Sequence, residues 1–284
     1  MDFKDFEILK AIHEEGNLTK VGNRLFISQP TVTHRIKQLE KQLEITIIKR
    51  GRKGVEFTDQ GLYLLKHSEK LLTNMRTLQE NLWNLEEEPH GTLRIGASRS
   101  AALHLLPEIL HAYSHKHPNV SYTITDGFNK EIIQSVYKDD VHVGIVRGDH
   151  HWTDAQLTLT EERICILATE KIPLDQLPNN KRILYQTDPY LTAIIDNWWR
   201  DQYKQPPSVS ITTSTMEIAQ KFCEQGLGYM IAPEMMIPRD SRLTIQPIQT
   251  ENGENIMWPT RLVYKQQTTD LNLVQKFVEH IKKL

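Results

Sequence analysis

The sequence has 284 residues, 34 Lys and Arg against 36 Asp and Glu, a net charge of −2, 39% hydrophobic residues and two cysteines. At roughly 100 to 200 residues per domain this length allows two or three units, and near-average charge, Gly and Pro content excludes wholesale disorder, collagen and disulfide scaffolds. No apolar run approaches the roughly 18 residues of a membrane span, and the start, Met1-Asp2-Phe3-Lys4-Asp5, lacks the pattern of a signal peptide, so a cytoplasmic protein with no membrane partner is expected.

The charge is unevenly placed. Between Lys20 and Lys53 nine basic residues face only Glu40 and Glu44, a local +7, and the remainder carries −9. One small segment can therefore grip a polyanion while the rest is mildly repelled from it.

Ahead of that segment Phe3, Phe6, Leu9 and Ile12 recur at helical spacing, and Gly16 is placed to end the helix in a left-handed cap. Leu18, Val21 and Leu25 continue in a second short helix. The run Phe26-Ile27-Ser28-Gln29-Pro30 then breaks the pattern, with Ser28 as cap and Pro30 in the first turn of a third helix. Val32, Ile36, Leu39 and Leu43 form its buried stripe. Its opposite face shows Gln29, Thr31, His34, Arg35, Lys37 and Gln38, a mixture of amide, hydroxyl and cationic donors suited to base edges and phosphates in a major groove. With Ser28, Pro30 and Thr33, these are the candidate DNA contacts. His34 has no partner Cys or His at ligand spacing, so no metal site is expected.

Ile45-Thr46-Ile47-Ile48 and Val55-Glu56-Phe57-Thr58 have strand composition and are joined by Arg50-Gly51-Arg52-Lys53-Gly54. Arg50, Arg52 and Lys53 at such a hairpin add phosphate contacts. This is a winged helix-turn-helix. The run Leu25 to Thr33, then Ile36, Leu39-Glu40, Leu43, Arg50, Thr58 and Gly61, resembles the N-terminal signature of LysR-type transcriptional regulators. Two departures from it concern local packing: the usual small-residue pair of the second helix is Val21-Gly22, and the usual glycine after the third helix is Glu44.

Thr58-Asp59 is a good helix start. From there Leu64, Leu71, Met75, Leu78, Leu82 and Leu85 form an apolar seam broken only by Ser68. A partner helix is the favoured cover, giving a dimer whose two heads read a palindrome; packing against the helix's own domain is the alternative. Glu86 to Gly91 marks a hinge. The expected organisation is a head over 1–58, a linker helix over 59–88 and a further domain over 92–284.

From Thr92 strands and helices alternate: a strand at Leu93 to Ala97, one helix from Ala101 to His115, strands at Val120 to Thr125 and Val141 to Val146, then a second such set after Arg163. Such alternation implies parallel sheet flanked by helices. Ala219, Gly226-Leu227-Gly228-Tyr229 and Ala232-Pro233 are similar to the second lobe of the LysR effector domain. That resemblance implies a two-lobed fold like periplasmic binding proteins, with lobe I over 92–162 and 265–284 and lobe II over 163–264. Ligands sit at the carboxyl ends of parallel strands. There Ser98, Arg99, Ser100 and Arg147 in the first lobe, and Gln186, Thr187, Thr213 and Ser214 in the second, read as an anion site suited to a carboxylate. His90 to Leu93, Leu106 to Leu110, Val141 to Gly148 and Trp198-Trp199 resemble the citrate-responsive catabolite control regulators of low-GC Gram-positive bacteria, which implies a di- or tricarboxylate effector. That subgroup tends to have an arginine near the return crossover. Unless Arg261 supplies it, citrate is under-neutralised and a smaller acid is expected.

The sequence has no G-x-G-x-x-G, Walker, G-x-S-x-G or H-E-x-x-H motif, which speaks against an enzyme, and no export signal for a transport receptor. Cys165 and Cys223 read as buried apolar residues. The expected protein is a DNA-binding regulator without cofactor, modulated by a small anionic metabolite. It acts on an interrupted palindrome of double-stranded DNA as a homodimer within a homotetramer, with RNA polymerase as a further partner.

Overall fold

The computed structural model describes residues 1–51, 54–83, 88–237 and 241–283. The chain divides into two compact units, Met1–Leu85 and Glu86–Leu284. Arg52, Lys53 and Leu85 lie outside the described residues.

In the first unit, α1 (Phe3–Glu15) opens on a capping box in which Asp2 and Asp5 satisfy each other's backbone N–H, and Gly16 closes it in the left-handed conformation. Asn17 caps α2 (Leu18–Arg24), and Ser28 caps α3 (Gln29–Leu43) with Pro30 in its first turn. Phe6, Leu9, Ile12, Val21, Val32, Ile36 and Leu39 close a common core. A Cβ on Gly22 would lie 2.6 Å from the Ile27 carbonyl oxygen, so only glycine lets α2 approach the turn. Glu44 ends α3 at φ 56, the left-handed region where glycine is at ease.

The wing is β1 (Ile48–Gly51) paired antiparallel with β2 (Gly54–Phe57). Its first strand begins at Ile48 rather than Ile45. The Glu40 carboxylate accepts the Ile47 and Ile48 N–H groups at 2.7 and 3.3 Å, holding that segment against α3. The long helix α4 (Asp59–Trp83) begins as expected, but its first turns belong to the head: Gly61, Leu65 and Ser68 are buried, and Leu65 joins the core. Leu64, expected on the dimer seam, packs with Leu72 against that same core. Leu71, Leu78 and Leu82 remain 44%, 52% and 58% exposed.

In the second unit, β3 (Gly91–Ser98) is parallel to both β4 (Val120–Gly127) and β5 (Val143–Arg147). The helix expected over Ala101 to His115 is two, α5 (Arg99–His104) and α6 (Leu106–Lys116). Pro107 in the first turn of α6 has no N–H to continue the ladder. Helix α7 (Asn129–Tyr137) links β4 to β5. The long strand β6 (Gln156–Ala168) then leads into β7 (Lys181–Tyr185), α8 (Pro189–Gln202), β8 (Ser208–Thr213), α9 (Met216–Glu224), β9 (Met230–Pro233) and β10 (Thr244–Pro247). The return strand is β11 (Met257–Tyr264), followed by α10 (Asn272–Ile281).

The main sheet runs β10-β6-β11-β5-β3-β4 with β9 also on β6, and β7 pairs parallel with β8. Each lobe has a main core, Leu93, Ile95, Tyr113, Ile145 and Phe277 in one and Ile164, Leu167, Ile183, Trp198 and Tyr229 in the other, and a smaller cluster joins Ile132 and Val136 of α7 to Val146 and Val263. Strands β6 and β11 run through both lobes. The return crossover lies earlier than the expected 264/265 boundary: Trp258 belongs to the second core, whereas Leu262 and Tyr264 belong to the first and Thr260 to Tyr264 pair with β5. A register shift between Thr260 and Arg261 marks the passage.

Candidate functional site

The outer face of α3 presents Pro30, Thr31, His34, Lys37 and Gln38 to solvent. Ser28 Oγ and Thr31 Oγ1 are 2.8 Å apart, and Gln29 Nε2 donates to Thr33 Oγ1 at 2.8 Å, so the polar groups of the first turns are held in place by one another. Arg35 is turned elsewhere. Its Nη1 donates to Asp5 at 2.8 Å and Asp2 at 3.0 Å, bridging α3 to the start of α1. The hydrogen bond to Arg35 pulls the Asp2 carboxyl below its ordinary value. In the free protein Arg35 is therefore a clamp between helices. Arg24 is likewise spent on Glu14 and Glu15. Phe26, read from sequence only as part of a break, is 95% exposed at φ 54 in the turn before Ser28. Arg50 lies on β1.

The second unit holds a cavity of about 580 Å³. Of the expected residues, Ser98, Arg99 and Ser100 after β3, Arg147 at the end of β5, Gln186 and Thr187 after β7 and Ser214 after β8 line it, and Asn129 after β4, Asp188 after β7 and Thr215 after β8 join them. Trp258 on the return strand also lines it. Ser98 is only 7% exposed, and its Oγ has no hydrogen-bond partner among the described residues. Arg147 Nη1 donates to Ser100 Oγ at 2.8 Å. Its Nη2 pairs with the Glu162 carboxylate, the two side chains being 3% and 4% exposed. The other Glu162 oxygen accepts the Met235 N–H at 2.6 Å. Burial pushes the Arg147 guanidinium down to about 10, which leaves it charged at neutral pH. Asn129 accepts the Arg147 N–H at 3.0 Å and donates to Asp188 Oδ2 at 2.8 Å, tying one lobe's strand end to the other's.

Two family models match the chain, one described as "Bacterial regulatory helix-turn-helix protein, lysR family" over residues 3–62 and the other as "LysR substrate binding domain" over residues 86–284. A relative from Bacillus subtilis strain 168, the uncharacterized HTH-type transcriptional regulator YraN, is 33% identical over 99% of this chain and 98% of its own. The chain belongs to the LysR family of transcriptional regulators. A second Bacillus subtilis regulator of the family, YkuM, is 28% identical over 99% of this chain and 97% of its own. Full-length CbnR in complex with its target DNA has the same fold, with a TM-score of 0.71 at 17% identity, covering 100% of this chain and 99% of that one. As a LysR-type regulator the protein binds DNA through its helix-turn-helix and is not an enzyme.

In this LysR regulator two expected effector contacts stand outside the cavity lining. Arg261 pairs with Asp149 and donates to the Gly148 carbonyl, because the register shift places it on the first-lobe side of the crossover. The Thr213 hydroxyl donates to the Thr215 carbonyl at 2.8 Å and so holds the loop before α9. Four acidic residues escaped sequence reasoning: Asp126, Glu162, Asp188 and Glu217. The only signal for Asp188 was its place before Pro189, the position of a helix cap, and it does accept the Tyr190 N–H at 2.9 Å. His104 is pushed below its ordinary 6.5 by burial, with Glu217 raising and Arg147 lowering it. Cys165 and Cys223 are fully buried, and burial pushes both thiols up to about 12, so neither is a ready nucleophile. Among the described residues no cluster of metal-ligating side chains occurs, and no helix is long and apolar enough to cross a membrane.

Proposed function

We propose that this regulator, in the cytoplasm, binds an interrupted palindrome of double-stranded DNA through the α3 faces of two chains, as a homodimer within a homotetramer. A small metabolite in the interlobe cavity modulates that binding. The observation that carries the reading is the cavity itself, walled by strand ends of both lobes, so that a ligand touching Ser100 and Thr187 together favours one lobe spacing over others. The exposed Leu71, Leu78 and Leu82 on α4 support self-association. A carboxylate group on the ligand is supported by Ser98, Ser100 and Arg147 meeting at one end. Glu162 already balances Arg147 and Arg261 is bound to Asp149, so an acid with three charges, such as citrate, meets too few cations. The test is operator affinity by fluorescence anisotropy with and without a panel of small metabolites. Because coupling is reciprocal, the operator must change effector affinity by the same factor. A panel in which no compound alters operator affinity overturns the ligand-modulated reading.

A further inference from the structure

The balance of charge around the cavity is opposite to that of an anion site. Asp126, Asp188 and Glu217 line it and Glu162 stands behind Arg147, four carboxylates against the two guanidinium groups of Arg99 and Arg147. Both guanidinium groups are engaged, Arg147 with Glu162 and Arg99 with Asp126 at 3.4 Å. Asp188 receives only neutral donors, the Asn129 amide and the Tyr190 N–H, and among the described residues neither it nor Glu217 has an ion-pair partner. These two carboxylates share the cavity with Trp258, whose ring stacks on Tyr190 at 5.8 Å. Carboxylates beside an aromatic wall recognise a protonated nitrogen. The buried Ser98 hydroxyl, without a hydrogen-bond partner among the described residues, supplies a further polar anchor.

We propose that the effector carries a protonated nitrogen, directed at Glu217 and Asp188, together with a single carboxylate at the Ser98–Ser100 end: a zwitterion of the amino-acid type rather than a di- or tricarboxylate. This rests on the ligand-modulated reading above and names the ligand class of its cavity. A net-neutral ligand places its positive end where the protein is negative. Its lone carboxylate meets Ser98, Ser100 and the Arg147 guanidinium without adding to an acidic cavity.

The test is isothermal titration of the full-length protein with the standard α-amino acids, their N-acetylated forms, primary monoamines, succinate and citrate. The expected result is binding by one or more α-amino acids and not by the N-acetylated counterpart, with Glu217→Gln weakening it roughly tenfold or more. A second variant, Glu217→Lys, is expected to abolish amino-acid binding and admit succinate. Binding confined to succinate, citrate or N-acetylated acids overturns this inference while sustaining a ligand-modulated regulator. Amino-acid binding unchanged in both variants overturns it as well. Silence of every compound overturns the zwitterion and counts equally against the ligand-modulated reading.

Discussion

Glu162, on the strand that leaves the first lobe, holds the guanidinium of Arg147 at the end of β5, and both side chains are all but sealed from solvent. A buried ion pair is costly to make and costlier to break on one side. Glu162→Gln is expected to destabilise the protein by about 3–5 kcal/mol, whereas replacing both partners by Met costs much less. Urea denaturation of the two variants checks the difference. Equal losses would show that the pair acts through shape alone.

Arg35→Ala removes a clamp rather than a base contact. Arg35 is 30% exposed and Asp2 58%, with only Asp5 buried, so a loss of about 0.5–1 kcal/mol in head stability is expected, with operator sequences weakened alike. Lys37→Ala, on the exposed face, should weaken all sequences and reduce the salt slope by about one. Anisotropy titrations over operator variants and salt concentrations separate the two; a shift of preference at one base position on Arg35→Ala would restore it as a reader.

Glu44 and Gly16 end their helices in the same left-handed conformation, at φ 56 and φ 61. Glu44→Gly is therefore expected to stabilise the head by about 1 kcal/mol and Gly16→Ala to destabilise it by a similar amount. Thermal unfolding of the two variants reads the opposite signs.

On α4 the sides of the helix have different duties. Leu65→Ala opens a cavity in the head core and should cost about 2–5 kcal/mol. Leu78→Glu, at an exposed position, should leave folding of the chain nearly unchanged and shift sedimentation toward monomer. A dimer that survives Leu78→Glu at micromolar concentration would move the association surface elsewhere.

The Arg163–Glu234 pair sits beside the crossover and lends stability that depends on pH. A hydrogen bond from Arg163 lowers the Glu234 carboxyl from its ordinary 4.5, so its contribution is complete above that value and lost as pH falls through the lower folded value. The thermal midpoint of Glu234→Gln should lie below that of the native protein at neutral pH, with the gap closing in acid. The gap is small and shrinks with salt, because the arginine is 42% exposed.

Much of the head was legible because its signals are local. Gly16, Ser28 and Pro30 sit where helix ends demand them, and Val32, Ile36 and Leu39 mark the buried stripe by spacing alone. Strand ends bearing Ser98, Arg147 and Gln186 were placed at one cavity because parallel-sheet topology brings such ends together. The Arg35 clamp was not legible because the exposed and clamping faces of α3 are neighbours, and its partners lie 30 and 33 residues away. The split at Leu105 was visible in Pro107 but overridden by continuous apolar spacing.

The sequence by itself determined the class of protein: a basic head with a helix-turn-helix, a long helix and a sensor of alternating strands and helices follow from local caps, periodicity and charge placement. Only the tertiary structure decided the electrostatics of the sensor. Arg147 alone reads as an anion receptor; Glu162, fifteen residues later and on another strand, neutralises it, while Asp188 and Glu217 arrive from the second lobe. A cavity's charge is a sum over residues brought together from distant segments, and the strength of each term depends on burial, which exists only in the folded chain.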